Sequence, residues 1–431
     1  MAKDDNPFQA FEHSSFNIKS EGRDGGPLNP DLYEAIKAYV GEKELPYLSL
    51  TANGVRFKNY VGALQVGKWI IEVLPKLDRH LDESSTQPIL IQMLKQAGYI
   101  KTFTPTESQL KLKRNYLLDT YIQMFLEETR TLIHRGLVKK YRKVEENEFA
   151  LSGKLLFNKH ITKNIAHAER FYIRQTVYDR QHELNRVLLK TLKTILTLSV
   201  SSSLLQETNA LIFHFPELDD IKVSDKYFSR LKWGRKTEAY KKAIEIARLI
   251  LLNYHPDLSK GKNHVLALMF DMNALWEKWF SNRLKMHLLK LDSSVKVYTQ
   301  SPKAFWFPSQ GFKVYQKPDI IIELSNNQKI ILDTKWKLVN DRPSEEDLRQ
   351  MFTYNKLFGS NMAYLVYPGS NPEISGKFFH HDEHGTCGLK FISFLEGSKL
   401  SCKNIETMAK SFLPKRTSQI PQLSSTEKEV S

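Results

Sequence analysis

Two cysteines in 431 residues, Cys387 and Cys402, are too few for a disulfide framework or a zinc-ligand set. A reducing compartment is therefore expected. No apolar run approaches the roughly 20 residues that a membrane-spanning helix needs. The opening Met1-Ala2-Lys3-Asp4-Asp5-Asn6 lacks the apolar core of a signal peptide. Together these absences predict a cytoplasmic chain with no membrane partner. There is no Gly-x-x-x-x-Gly-Lys-[Ser/Thr] loop, so the chain is not expected to bind nucleotide itself. No internal repeat is visible. Acidic residues are in deficit: 48 against 63 basic ones leave a net charge of +15. That balance favours a polyanionic partner, most simply nucleic acid.

What remains is globular in character, with 41% hydrophobic and 26% charged residues. The length is too great for one ordinary core. Residues 1–28 are polar and Gly-rich and read as a flexible lead-in. Residues 29–160 open with a short helix from Asp31 to Val40. A small β unit follows between Leu48 and Leu74, punctuated by Asn53-Gly54 and ended by Pro75. Helical periodicity then runs from Pro88 to Gly136, with Leu117, Tyr121, Phe125 and Leu132 at three- and four-residue steps. Val138 to His160 returns to strands. Residues 161–258 form a helical middle region, with helices from His182 to Leu198 and from Thr237 to Leu252, closed by His255-Pro256-Asp257.

Residues 259–413 read as helix (Asn263–Leu291), strand (Val295–Thr299), hairpin (Pro318–Asp333), helix (Ser344–Leu357) and strand (Ala363–Tyr367). That order predicts an α/β domain with a mixed central sheet. Residues 414–431 are Ser/Thr/Lys/Glu-rich and read as a disordered tail. The fold expected for the whole is α+β and multidomain.

The chemistry concentrates in the hairpin. Lys317-Pro318-Asp319-Ile320-Ile321-Ile322-Glu323 and Ile330-Ile331-Leu332-Asp333-Thr334-Lys335 are β-branched runs beside acidic residues, joined by the polar Ser325–Lys329. Alternation along a strand puts Asp333 and Lys335 on one side, and hairpin pairing brings Asp319 beside them. Two carboxylates and an ammonium at a sheet edge suit a divalent metal and a water that attacks a phosphodiester. Asp319 and Asp333 are the expected metal ligands, with the backbone carbonyl of Thr334 completing the shell. Lys335 orients the water or stabilises the developing charge. The preceding helix carries Glu277, and the following one carries Gln350 and Tyr354, four apart and so on one face. Glu323 shares the strand face of Asp319 but reads better as a solvated acid.

Weaker signals lie elsewhere. Lys226, Arg230, Lys232, Trp233, Arg235 and Lys236 interleave cations with aromatics, which suits either DNA contact or a linker with solvated charges. The basic runs Lys111–Arg114 and Lys139–Lys143 read as solvated faces. His380-His381-Asp382-Glu383-His384 lacks the spacing of a zinc site and reads as an exposed loop. Trp276, Trp279 and Phe280 at helical spacing read as core.

Pro318-Asp319 with Asp333-Thr334-Lys335 resembles the PD-(D/E)xK nuclease superfamily. Gln350-Met351-Phe352-Thr353-Tyr354 resembles the Gln-x-x-x-Tyr element of its RecB-like branch. By that resemblance Glu277 contributes an acid to the metal site. Val61-Gly62, Ile71-Glu72-Val73-Leu74-Pro75-Lys76, Arg135-Gly136-Leu137 with Tyr141, Glu183-Leu184-Asn185 and Phe270-Asp271-Met272-Asn273 lie in the order found in the McrC family. The whole chain, from about residue 45 to 412, resembles that family. It departs at Leu151-Ser152-Gly153-Lys154, where the family tends to have Arg-Gly-Arg; basic character survives at Lys154.

The resemblance implies the nuclease subunit of a modification-dependent (5-methylcytosine) restriction system. Its site would use Mg²⁺, with Mn²⁺ as a substitute, on double-stranded DNA. Its partner would be a McrB-like AAA+ GTPase that translocates on DNA and reads modified cytosine, and that the N-terminal region stimulates. Two rivals are a stand-alone RecB-like nuclease and a non-catalytic adaptor that regulates an NTPase.

Overall fold

The structure, a computed structural model, describes residues 7–19, 27–41, 43–76, 83–99, 117–255, 264–337, 342–378, 385–397 and 399–413. The runs Lys111–Arg114, Pro256–Asp257 and His380–His384 and the tail 414–431 lie outside the described residues. The chain divides into two compact units, Met1–Met272 and Asn273–Ser431. Among the described residues no helix is long and apolar enough to cross a membrane.

The first unit is built on a five-stranded sheet in the order Phe8–Phe11, Trp69–Leu74, Tyr60–Val66, Val265–Asp271, Tyr254–His255. Phe8–Phe11 runs parallel to Trp69–Leu74, and the other neighbours are antiparallel. Gly62 sits where the strand Val265–Asp271 passes so closely that a Cβ would lie 2.0 Å from Leu268 O. Only glycine fits there. A second, three-stranded sheet pairs Gly54–Phe57 with Leu48–Thr51 and Ser15–Asn17. The helix Pro30–Val40, capped by Asn29 Oδ1 accepting from the N–H groups of Asp31 and Leu32, buries Leu32, Ile36 and Val40 at four-residue spacing. These meet Phe16, Val55, Phe57, Leu64, Ile71 and Val73 in one core.

The small β unit thus stands where the turn residues predict it. Two corrections come with it. The segment read as a flexible lead-in contains the strands Phe8–Phe11 and Ser15–Asn17, each paired within a sheet. A strand added to an existing edge needs only a few apolar residues, which polar neighbours conceal. The helix read from Asn263 to Leu291 is a strand, Val265–Asp271, followed by a helix, Met272–Leu291. Val265-Leu266-Ala267-Leu268 is buried on both faces, and a continuous apolar run carries no period to tell strand from helix.

The middle helices Leu117–Arg135, Glu183–Ile195, Ser202–Ile212 and Lys241–Leu252 pack on one another. Asn185 is fully buried among them. Its Nδ2 donates to the carbonyls of Val138 and Arg180 (2.8 and 2.9 Å), and its Oδ1 accepts from Tyr240 OH at 2.9 Å. Tyr240 OH in turn accepts from Val138 N at 2.9 Å. Every polar group in this knot has a partner, which is what allows an amide so deep in the interior. Beyond it a long ribbon, Lys140–Glu148 against Phe171–Asp179, carries a short third strand, Lys154–Leu155, and the helix Phe157–Asn164. The stretch read as strands to His160 is therefore partly helical at its end.

The second unit has a five-stranded sheet in the order Lys296–Thr299, Ile320–Glu323, Lys329–Thr334, Met362–Pro368, Thr386–Ile392. The first three strands pair antiparallel and the last two join in parallel, the mixed sheet expected from the sequence. The helix Glu345–Phe358 makes the crossover between the two central strands. Ser344 Oγ caps it through Asp347 N, and Gly359 ends it in the left-handed region. Met351, Tyr354 and Phe358 pack on Ile321, Ile331, Ala363 and Leu365. Trp276, Trp279 and Phe280 are completely buried; Trp276 stacks with the other two and meets Trp336 at a tilt and Phe394 edge-on, so they are core as expected.

Glu72, on the central sheet of the first unit, is 1% exposed and accepts from Leu117 N at the start of a helix. Burial, with Asp119 nearby, pushes its carboxyl up to about 7. The folded chain then holds a proton that the unfolded chain releases from about pH 4.5 upward, so stability falls as pH rises from 4.5 through 7. The stability of Glu72→Gln relative to wild type should rise by about 2–3 kcal/mol between pH 4.5 and pH 8. Thermal melts across that range check it, and a difference independent of pH would refute it.

Candidate active site

The site in the second unit is set by the register of one hairpin. Ile320 pairs with Leu332, so Asp319 falls opposite Asp333 one step along. Neither acid faces open water. Asp333 is 3% exposed, and Asp319 is half-buried. Thr334 donates twice to Asp319 Oδ2, from its N–H at 2.7 Å and its hydroxyl at 2.8 Å. Gln300 Nε2 donates to Asp319 Oδ1 at 3.0 Å and also to Glu277 Oε1. Gln300 holds this place with φ +52, its N–H bonded to Asp319 O.

Lys335 lies on the same strand face as Asp333. Its Nζ stands 2.8 Å from Asp333 Oδ2, 3.5 Å from Asp347 Oδ1 and 3.1 Å from Gln350 Oε1. The first is a close ion pair with an almost fully buried carboxylate. Gln350 Nε2 donates to Tyr354 OH (2.8 Å), which donates to Lys317 O (3.2 Å). Asp347 also pairs with Lys337.

Charge is held here at a cost. Desolvation pushes the carboxyls of Asp319 and Asp333 up, the more so because each faces another acid: Glu277 beside Asp319, and Asp319 beside Asp333. Glu277 is raised as well, by desolvation and then by Asp333, against the lowering hydrogen bond from Gln300. Lys335 is raised, the carboxylates Asp333, Asp347 and Asp319 outweighing its desolvation. Asp347 is lowered despite its own desolvation, by Lys337, Ser344 and Lys335.

Among the described residues no three His, Cys, Asp or Glu side chains converge as a metal cage. The donor set instead fits a hard cation held by two carboxylates, with solvent for the remaining ligands, as Mg²⁺ prefers. Two buried carboxylates that repel each other, with a single ammonium beside them, are what such an ion would neutralise.

A family model described as the McrBC 5-methylcytosine restriction system component matches residues 55–368. The chain belongs to that family. Among solved structures, a chain of the refined half-complex from the tetradecameric assembly of Thermococcus gammatolerans McrB AAA+ hexamers with bound McrC superposes with a TM-score of 0.68. The identity is 18%, over 94% of this chain and 99% of that one. A chain of the cryo-EM structure of the T. gammatolerans McrBC complex gives 0.48 at 19% identity, over 66% and 88%. No curated protein matches. The McrC resemblance carried by the sequence motifs therefore holds.

For this McrBC-family chain, Asp319, Asp333, Thr334, Lys335, Gln350 and Tyr354 come together as one constellation, with Glu277 tied in through Gln300. Thr334 enters it through its N–H and hydroxyl, which serve Asp319. Glu323 does not join: it lies roughly 13 Å along its strand from Asp319 and pairs with Lys296 at 3.2 Å. The basic segment belongs to the other unit. There Lys226, Arg230 and Lys232 line a cleft of about 590 Å³ with Lys140, Lys222 and Tyr227, while Trp233, Arg235 and Lys236 are exposed. Sequence reasoning missed Gln300 and Asp347. Both had a signal: Gln300 follows the strand antiparallel to Ile320–Glu323, and Asp347 stands three residues before Gln350, on the same helix face.

Without divalent metal, Asp333→Asn should raise stability at neutral pH by about 1 kcal/mol, by removing one of two repelling carboxylates. Millimolar Mg²⁺ should raise the melting temperature of wild type and not of Asp333→Asn. Equal response of both proteins to Mg²⁺ would show that the ion binds elsewhere.

Proposed function

We propose that this chain is the Mg²⁺-dependent endonuclease subunit of a McrBC-type restriction system, hydrolysing phosphodiesters in double-stranded DNA with a PD-(D/E)xK site. The observation that carries this is the Asp319–Asp333 pair across the hairpin with Lys335 on the same face. The ion, held by Asp319 and Asp333, would supply the charge that offsets the phosphate's and lowers the pKa of bound water. Thr334 and Gln300 fix Asp319 so that its lone pairs point in constant directions. Lys335 stays protonated between Asp333 and Asp347. From there its Nζ orients the attacking water or donates to the oxygens that gain charge as water adds to phosphorus and the ester bond breaks. Gln350, braced by Tyr354 against Lys317 O, keeps that ammonium from folding away.

The partner follows from kinship with an assembly of McrB AAA+ hexamers with bound McrC. An AAA+ GTPase would load the DNA and read the modified cytosine, and this chain, lacking a P-loop, would stimulate it. One surface of the first unit suits that contact. Around the ribbon Lys140–Glu148, the side chains of Phe149, Leu151, Phe157 and Ile165 are exposed, Ile165 to 85%. Apolar groups clustered at a surface mark an interaction site. A cytoplasmic setting is consistent with two unpaired cysteines.

The test is cleavage of methylated and unmethylated plasmid with Mg²⁺, with and without the cognate GTPase and GTP. Cutting should require methylation, partner and GTP. It should vanish in Asp333→Ala and fall by about 100-fold or more in Lys335→Ala. Cutting by the chain alone would make it a stand-alone nuclease. No cutting, with GTP turnover still stimulated, would make it an adaptor. Phe149→Glu with Leu151→Glu should reduce GTPase stimulation while leaving the melting temperature within about 2 °C of wild type, surface changes being nearly neutral for stability.

A further inference from the structure

Between Gln300 and Asp319, two residues of the acid site, the chain leaves the central sheet and forms a separate two-stranded ribbon, Lys303–Trp306 against Val314–Gln316. It carries Phe305, Trp306, Phe307, Phe312 and Tyr315, all at least half exposed, with Phe312 exposed to 95%. One exposed aromatic ring means little, but five on one short ribbon are a surface kept for contact. Residues 301–317 contain three lysines and no acid. Lys313 Nζ stands 4.9 Å over the Phe307 ring. Lys303 anchors the base of the ribbon to the helix that carries Gln350, donating to Leu357 O at 2.6 Å.

We infer that this ribbon stacks on unpaired bases beside the cut, so that the substrate at the site is DNA whose strands are locally opened. The inference rests on the nuclease reading and deepens it. Chain length sets the distance. Tyr315 is four residues from Asp319 and Phe305 five from Gln300, so each ring's backbone lies within about 14–18 Å of the acid site. At about 3.4 Å per nucleotide along a strand, Phe305 and Tyr315 fall within about five nucleotides of the scissile phosphate, and Trp306 and Phe312, a little farther along the chain, within about seven. Inside a paired duplex the faces of the bases are covered by their neighbours, and rings such as these have nothing to stack on. Once the bases are unpaired, flat π-faces and cations together form a platform tolerant of sequence. The absence of any acid favours a polyanion over an apolar protein surface.

The experiment measures binding by fluorescence anisotropy, using the full chain carrying Asp333→Asn, without divalent metal, so that hydrolysis plays no part. The probes are a short single strand, the same sequence as a duplex, and an abasic single strand that keeps the phosphates and lacks the bases. Trp306→Ala and Phe312→Ala should each weaken single-strand binding by about 10-fold. Trp306→Tyr should restore most of it. The slope of log affinity against log salt should stay unchanged, because no phosphate contact is lost. Duplex and abasic binding should not move. Equal single-strand binding by wild type and the alanine variants would overturn the inference, as would parallel losses on all three probes. Unchanged DNA binding with lost assembly on the GTPase would also overturn it and make the ribbon a protein-docking element. Plasmid cleavage separates the two readings. Ribbon-dependent binding by a chain that never cuts supports the ribbon and sinks the nuclease. Normal cutting with ribbon-independent binding does the reverse.

Discussion

The second unit depends on an electrostatic conflict held in place by hydrogen bonds. One hairpin register sets two carboxylates opposite each other at the end of two strands that are buried on both faces. Left alone, such a pair would be protonated or would splay apart. Thr334 and Gln300 prevent the second outcome by gripping both oxygens of Asp319. The packing of Met351, Tyr354 and Phe358 over Ile321 and Ile331 makes a slipped register expensive, since a shift would break a close-packed fit. The core thus fixes the geometry, and the geometry keeps the acids strained together.

Around that pair, charge is arranged in alternating layers. Lys335 lies between Asp333 and Asp347, and Asp347 lies between Lys335 and Lys337. A lysine bracketed in this way keeps its proton, while a carboxylate bracketed by lysines stays ionised. Single substitutions here are therefore not local. Removing Asp347 would leave Lys337 without its carboxylate and Lys335 with Asp333 alone, and removing Lys335 would leave Asp333 with only acidic neighbours. Double-mutant cycles are the fitting tool for such a network.

The hairpin and its acids were legible in the sequence because β-branched runs, a polar turn and terminal acids agree on one structure. The crossover helix was legible through its Ser344 cap and its acidic first turn. The strand Val265–Asp271 was not, because an apolar run buried on both sides has lost the alternation that marks a strand. Gln300 and Asp347 escaped for a different reason. Neither belongs to a motif, and each acquires its partners only when a strand register or a helix face is known. The exposed aromatic ribbon escaped because its rings follow neither the alternation of a half-buried strand nor the period of a helix. The net charge favours a polyanionic partner, but a sum over the whole chain carries no information about where on the chain it would bind.

The strand Val265–Asp271 and the helix Met272–Leu291 adjoin with no residue between them, yet all of the helix after Met272 falls in the other unit. The strand occupies an interior position in the first sheet, between Tyr60–Val66 and Tyr254–His255. The helix supplies the buried tryptophans of the second unit. Most modular proteins can be dissected at a spacer, and their parts exchanged between genes. Here the junction offers no such seam. Dividing the chain before the strand would strip the first sheet of an inner member, and dividing it after would free the first turn of the helix from the residues that lead into it. A cut at this junction therefore damages one unit or the other.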